Sequence, residues 1–328
     1  MRGYIDLHLH LDGSLPPAVI LKLAECSDVS LPANTVECLI PFLRVSDDCK
    51  DLNEYLKKFD IPLSVLQTEE CLELAVYELL RTLSEQDVLY AEIRFAPGFH
   101  CRRGLTQEEV VSAAIRGLER GIAEFPIRAQ LILCCMRGTN NWTVNQETVE
   151  VTKVFLGKGV CCFDLAGAEA LFPTEDYADL FAYARELGVP YIIHAGEAAG
   201  WESVQAALDF GAKRIGHGVL AADDLQSVER LKVLKIPLEV CVTSNVQTKA
   251  VVNLESHPIK RLLDAGVWIT LNTDNMTVSD TTLKKEYTLV QKTFRLTDEQ
   301  MEQILCSGVD AAFLSESEKQ ALKKQLIG

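Results

Sequence analysis

The sequence predicts an α/β protein: a closed (β/α)8 TIM barrel with a helical insertion after the first strand. Three observations carry this expectation. Eight short apolar or β-branched runs recur along the chain, amphipathic segments of helical spacing lie between them, and 328 residues leave room for an insertion beyond the roughly 250 that such a barrel uses. Strands alternating with helices of this length argue for βαβ units and a parallel sheet. An open doubly wound sheet shares that alternation, but its glycine fingerprint is missing, because Gly157-Lys158-Gly159 has Cys162 where the third glycine belongs.

The first strand is expected at 3–10. Ile5, Leu7, Leu9 and Leu11 alternate with Asp6, His8, His10 and Asp12, so period-two geometry puts two imidazoles and two carboxylates on one face. Residues 14–87 form the mainly helical insertion. Strands follow at 88–95, 128–136 and 159–165. Arg94 ends the first of these and is expected to form a salt bridge with a neighbouring carboxylate. In the next helix, 175–187, Tyr177, Leu180, Phe181, Ala184 and Leu187 recur at helical spacing. Thr174 is its expected N-cap, and Gly188 with Pro190 stops it. Strands at 190–194 and 213–217 end on His194 and His217. After a strand at 236–242, Pro258 opens a helix with Ile259, Leu262 and Leu263, which ends at Gly266. The last strand, 267–273, runs into Asp274. No linker or low-complexity segment interrupts the chain, so residues 1–328 are expected to form a single domain.

Composition narrows the partners. With 32 Lys and Arg against 47 Asp and Glu, the formal net charge is −15, which argues against nucleic acid as a partner and favours a small neutral substrate. The N-terminus has no apolar signal region and no stretch reaches the length of a membrane span, so a cytoplasmic location is expected. Eleven cysteines lack C-x-x-C spacing and read as reduced core thiols. His100 reads as a surface-loop residue and His257 as a helix cap.

The chemistry lies at the strand ends. His8, His10, His194, His217 and Asp274 all fall where a barrel gathers its active site, at the C-terminal mouth. Three neutral nitrogens and one carboxylate from His8, His10, His194 and Asp274 make a ligand set suited to Zn²⁺, which activates water. His217 would orient or deprotonate that water, and Glu197 would be the acid protonating the substrate from the opposite side.

Ile5-Asp6-Leu7-His8-Leu9-His10-Leu11-Asp12-Gly13-Ser14-Leu15, Asp164-Leu165-Ala166-Gly167, His194-Ala195-Gly196-Glu197, Arg214-Ile215-Gly216-His217-Gly218, Cys241-Val242-Thr243-Ser244-Asn245 and Leu271-Asn272-Thr273-Asp274 resemble, in order, the successive motifs of the adenosine deaminase family. The resemblance implies a zinc enzyme, with one Zn²⁺ per chain, that hydrolyses the 6-amino group of adenosine or deoxyadenosine, a small nucleoside. It implies zinc on His8, His10, His194 and Asp274, proton donation from Glu197 to purine N1, and handling of the attacking water by His217. Asp12 would meet the ribose hydroxyls, the Gly167 backbone would meet purine N3, and His10 would border the nucleoside. Apart from the resemblance, the apolar face of the insertion, with Leu52, Tyr55, Leu56, Phe59, Ile61 and Leu63, reads either as a lid over a purine or as ordinary helix packing. One departure stands out: the family has a second aspartate where this chain has Asn275. Its amide can still donate to purine N7, but another aminopurine, adenine or a modified adenosine, stays open as substrate. A metal-binding barrel without activity is the third reading, against which Glu197 and His217 count.

Overall fold

The computed structural model describes residues 3–327. Among them, eight parallel strands pair in sequence order: β1 Tyr4–His10, β2 Val88–Phe95, β3 Arg128–Met136, β4 Val160–Ala166, β5 Tyr191–Ala195, β6 Ile215–His217, β7 Leu238–Val240 and β8 Ile269–Leu271. All eight coincide with the expected runs. Every residue of β4 is buried, as a strand covered on both faces requires. The barrel closes where the chain after β8 returns to β1: the Asp274 amide donates to the His8 carbonyl at 2.8 Å and the His10 amide to the Asp274 carbonyl at 2.7 Å.

Between β1 and β2 run the short α1 Leu11–Ser14, then α2 Pro17–Ser27, α3 Val36–Leu43, α4 Leu52–Leu56, α5 Asp60–Val65 and α6 Glu69–Ser84. This is the helical insertion. The later helices are α7 Gln107–Glu124, α8 Trp142–Phe155, α9 Ala178–Leu187, α10 Trp201–Phe210, α11 Leu225–Leu234, α12 Val242–Gln247, α13 Ile259–Asp264, α14 Leu283–Phe294, α15 Asp298–Ala311 and α16 Glu316–Ile327. None is long and apolar enough to cross a membrane.

Four local expectations are corrected. The strand alternation stops at His10, so Asp12 sits in α1 and not on β1. Gly13 explains the turn: a Cβ there would lie 1.8 Å from Asn275 Oδ1, so the backbone passes directly beneath that side chain. Thr174 is not the N-cap of α9, which starts at Ala178 after a 3₁₀ turn over Thr174–Tyr177. Its hydroxyl is committed to Ser203 Oγ at 2.6 Å and to Arg137 Nη2 at 2.9 Å. His100 is not on the surface; it is fully buried, and its Nδ1 donates to the Leu66 carbonyl at 2.8 Å. Burial lowers its pKa to about 4. The cysteines are all free, but only seven are buried, and Cys26 and Cys38 are exposed.

Other local readings hold. Gly188 ends α9 at φ 65°, in the left-handed region. The His257 imidazole accepts from the Ile259 amide at 3.1 Å, at the start of α13.

Candidate active site

β1 delivers two imidazoles to the C-terminal mouth. His8 is fully buried, and its Nδ1 lies 2.8 Å from Glu239 Oε2 on β7. That contact leaves Nε2 free, and Nε2 is a buried atom with no hydrogen-bond partner, 3.5 Å from Asp274 Oδ1. His10 Nε2 is also 3.5 Å from Asp274 Oδ1. His194, at the end of β5, turns its Nδ1 to Asp164 Oδ2 on β4 at 2.8 Å. Its ring centroid is 4.6 Å from that of His8 and 5.5 Å from that of His10. Two overlapping groups result, His8 with His10 and Asp274, and His8 with His194 and His217, the ligand atoms of each within 4.8 Å of one another.

This donor set fits a divalent cation. An imidazole whose Nδ1–H is fixed on a carboxylate presents its Nε2 lone pair, which is how metal-binding histidines are oriented. A third group joins Cys241 to His217 and Asp274, but burial raises the Cys241 thiol well above its usual pKa. As a neutral thiol, it donates to the Glu239 carbonyl at 3.5 Å and leaves a nitrogen and oxygen site.

The surrounding charges set protonation. Burial alone would push Asp274 up, but the hydrogen bond from His8 and the imidazoles of His217, His8 and His10 outweigh it and hold the carboxylate ionised. Ser244 Oγ donates to its Oδ2 at 2.5 Å. Glu197 goes the other way. Burial raises its pKa well above the ordinary value, and the charges of Asp274 and Glu169 add to the effect, so this carboxyl holds its proton more firmly than an ordinary glutamate. His217 Nε2 is 3.5 Å from Glu197 Oε2. His217 and Asp274 both have φ near +60° (59° and 60°), a region non-glycine residues seldom occupy, and such backbone strain concentrates at functional sites.

A cavity of about 330 Å³ opens above these groups, inside the range of small-molecule sites. His10, Asp12, Gly167, Glu197, His217 and Asn275 all line it. Burial raises Asp12 to about 7. Asp12 Oδ1, Glu197 Oε1 and Asn275 Oδ1 are buried without protein partners. Gly167 turns at φ 106°, which exposes its backbone to the cavity. Leu52, Tyr55, Leu56 and Phe59 supply an apolar wall from the insertion.

Residues 4–328 match the family model described as adenosine deaminase. The chain belongs to the adenosine deaminase family. An adenosine deaminase of Haemophilus ducreyi is 50% identical over 324 residues, covering 98% of this chain and 94% of that one. One from Enterococcus faecalis is 38% identical over 322 residues, covering 98% and 95%. Among solved structures, an adenine deaminase from Arthrobacter aurescens superposes with a TM-score of 0.89 at 26% identity, covering all of this chain and 98% of that one.

In this adenosine deaminase family chain the salt bridge expected at Arg94 is present, but it belongs to an inner belt of buried ions that sequence reasoning missed. Arg94 donates to Asp164 at 2.9 Å and to Glu239 at 2.8 Å. Arg214 pairs with Glu239 at 2.5 Å and with Glu92. Asp164 and Glu239 therefore each bridge an arginine and an imidazole. The available signal was a carboxylate inside an apolar strand, Phe163-Asp164-Leu165 and Leu238-Glu239-Val240. Glu169 was missed too. Its carboxylate accepts from the amides of Gly196, Glu197, Ala198 and Ala199 at 2.6–3.0 Å and from Ser203 Oγ at 2.5 Å. It clamps the loop that carries Glu197.

Proposed function

We propose that this chain catalyses the hydrolytic deamination of adenosine and deoxyadenosine to inosine and deoxyinosine with release of ammonia. One observation carries the reading: an ionised Asp274 and three imidazoles converge beneath a nucleoside-sized cavity that is also lined by Glu197, a carboxyl whose pKa burial raises. His8, His10, His194 and Asp274 would hold the metal, which we read as Zn²⁺ from the three-nitrogen, one-carboxylate set. Bound there, the cation would supply a water whose pKa falls from 15.7 toward about 7.

The chain's own groups would do the rest. Asp12 would hold the ribose hydroxyls, the Gly167 backbone and Asn275 would hold the purine at N3 and N7, and His10 would border the nucleoside. Glu197 passes its proton to N1 as the oxygen of water bonds to C6, and the proton shed by the water restores the Glu197 carboxyl. His217 handles the oxygen. When C6 becomes a carbonyl, the C6–N bond breaks and the hydroxyl proton departs with ammonia. The apolar wall from Leu52, Tyr55, Leu56 and Phe59 excludes water from the base. One barrel domain in the cytoplasm, where eleven free thiols persist reduced, completes the reading.

Asn275 favours a second reading, deamination of free adenine or a modified adenosine. Ammonia release across adenosine, deoxyadenosine, adenine and N6-methylated adenosine, with metal analysis on the same sample, decides between them. Turnover of adenosine with about one zinc per chain is expected. Turnover of adenine alone would overturn the adenosine reading.

A further inference from the structure

His8 and His194 each turn Nδ1 to a carboxylate, whereas His217 turns its Nδ1 to an amide, Asn245 Nδ2, at 3.0 Å. We propose that Asn245 and His257 are positioning residues that fix His217 in its Nε2–H tautomer, so that this imidazole donates a hydrogen bond to the reacting oxygen and does not act as its base. The proposal rests on the deaminase reading above for the identity of that oxygen.

The relay starts at a group with no freedom. Ile259 is the first residue of α13, and a first-turn amide has no acceptor within its own helix. Its N–H points at His257 Nδ1 at 3.1 Å. An amide only donates, so Nδ1 carries the lone pair and the proton of His257 is on Nε2. That Nε2–H faces an Asn245 side-chain atom at 3.3 Å. The atom must be an acceptor, which fixes it as Oδ1 and turns the Asn245 NH₂ toward His217. Nδ1 of His217 therefore accepts, and its proton is on Nε2. An imidazolium at either histidine would set N–H against N–H.

Burial makes the counting binding. Asn245 is 0% exposed, His217 1% and His257 4%, so bulk water cannot exchange the roles. The remaining nitrogen of His217 faces Glu197 Oε2 at 3.5 Å, and His217 lines the cavity. A protonated Nε2 is also not a metal ligand. The relay thus keeps His217 out of the ligand set, although its ligand atom lies within 4.8 Å of those of His8 and His194.

The test is a long-range ¹⁵N–¹H correlation spectrum of the metal-loaded protein labelled with ¹⁵N-histidine, in which His217 and His257 are assigned by their loss in His217→Gln and His257→Gln. Both should show a pyrrole-type Nε2 and a pyridine-type Nδ1. A pyridine-type Nε2 on His217 would overturn the proposal. Asn245→Asp replaces the donor with an acceptor and should flip His217 to Nδ1–H, lowering kcat at least 100-fold with KM within threefold. A flip with unchanged kcat, or a kcat loss without a flip, counts against it. If Asn245→Asp does not fold, the spectrum of the unaltered protein decides. The spectra need no turnover, so a correct tautomer in protein that releases no ammonia would reject the deaminase reading and not the relay.

Discussion

Glu197 and Asp274 are both buried carboxylates, and their neighbours drive them in opposite directions: three imidazoles hold Asp274 ionised, while burial and two carboxylates raise the pKa of Glu197. Such divergence between two carboxyls assigns acid and anion within one site. Glu197→Gln keeps the shape and removes the exchangeable proton. Turnover is expected to fall by roughly 10²–10⁴-fold, the usual contribution of a positioned acid, with metal content unchanged; steady-state assays paired with elemental analysis check both. Asn275 lines the same cavity with a side chain that donates at any pH. Asn275→Asp should retain adenosine turnover only where the new carboxyl is protonated. Its activity relative to the parent should therefore fall as pH rises, a trend that parallel pH–rate profiles will reveal.

At the scale of elements, the site is a property of strand ends tied together by buried ions. Glu239 on β7 joins His8 on β1, Arg94 on β2 and Arg214 just before β6. Burying such ions costs desolvation that their attraction only partly offsets, so their value is in orientation more than in stability. Glu239→Gln should leave His8 less firmly held and reduce metal affinity by about 10–100-fold, as loss of a group orienting a metal-bound histidine does. Competition against a chromogenic chelator measures it. The strands themselves were legible because each is a short apolar run. β6, β7 and β8 come out at three residues each, shorter than the runs that announce them: β6 loses its first two residues, and β7 and β8 lose residues at both ends. What stayed hidden was tertiary. Nothing near Glu169 in the chain announces that four amides of a loop about 30 residues away converge on it, and His100 is buried only because the Leu66 carbonyl comes to meet it.

For the whole molecule, buried neutral histidine makes stability depend on pH. The pKa of His100 is about 4 in the folded protein against an ordinary 6.5, so between those values the unfolded chain binds a proton that the folded chain refuses. Its contribution is fully present above pH 6.5 and is lost as pH falls toward 4, about 3 kcal/mol in all at 1.36 kcal/mol per unit. At pH 5 the loss is about 2 kcal/mol. Urea unfolding of the parent and of His100→Gln at pH 7 and pH 5 should show the parent losing about that much more between the two conditions; equal losses would contradict it.

The seam that closes the barrel joins β1 to the segment after β8, with His10 and Asp274 exchanging backbone hydrogen bonds with their neighbours across it. During synthesis, then, the first two histidines leave the ribosome while the carboxylate that completes their set is 264 residues away. At roughly 5–20 residues per second this separation lasts on the order of 13–53 s. With His8, His10, His194 and Asp274 as the proposed ligands, a nascent or truncated chain would offer a passing cation only a partial grip, and full occupancy would report that translation has reached the end of the barrel.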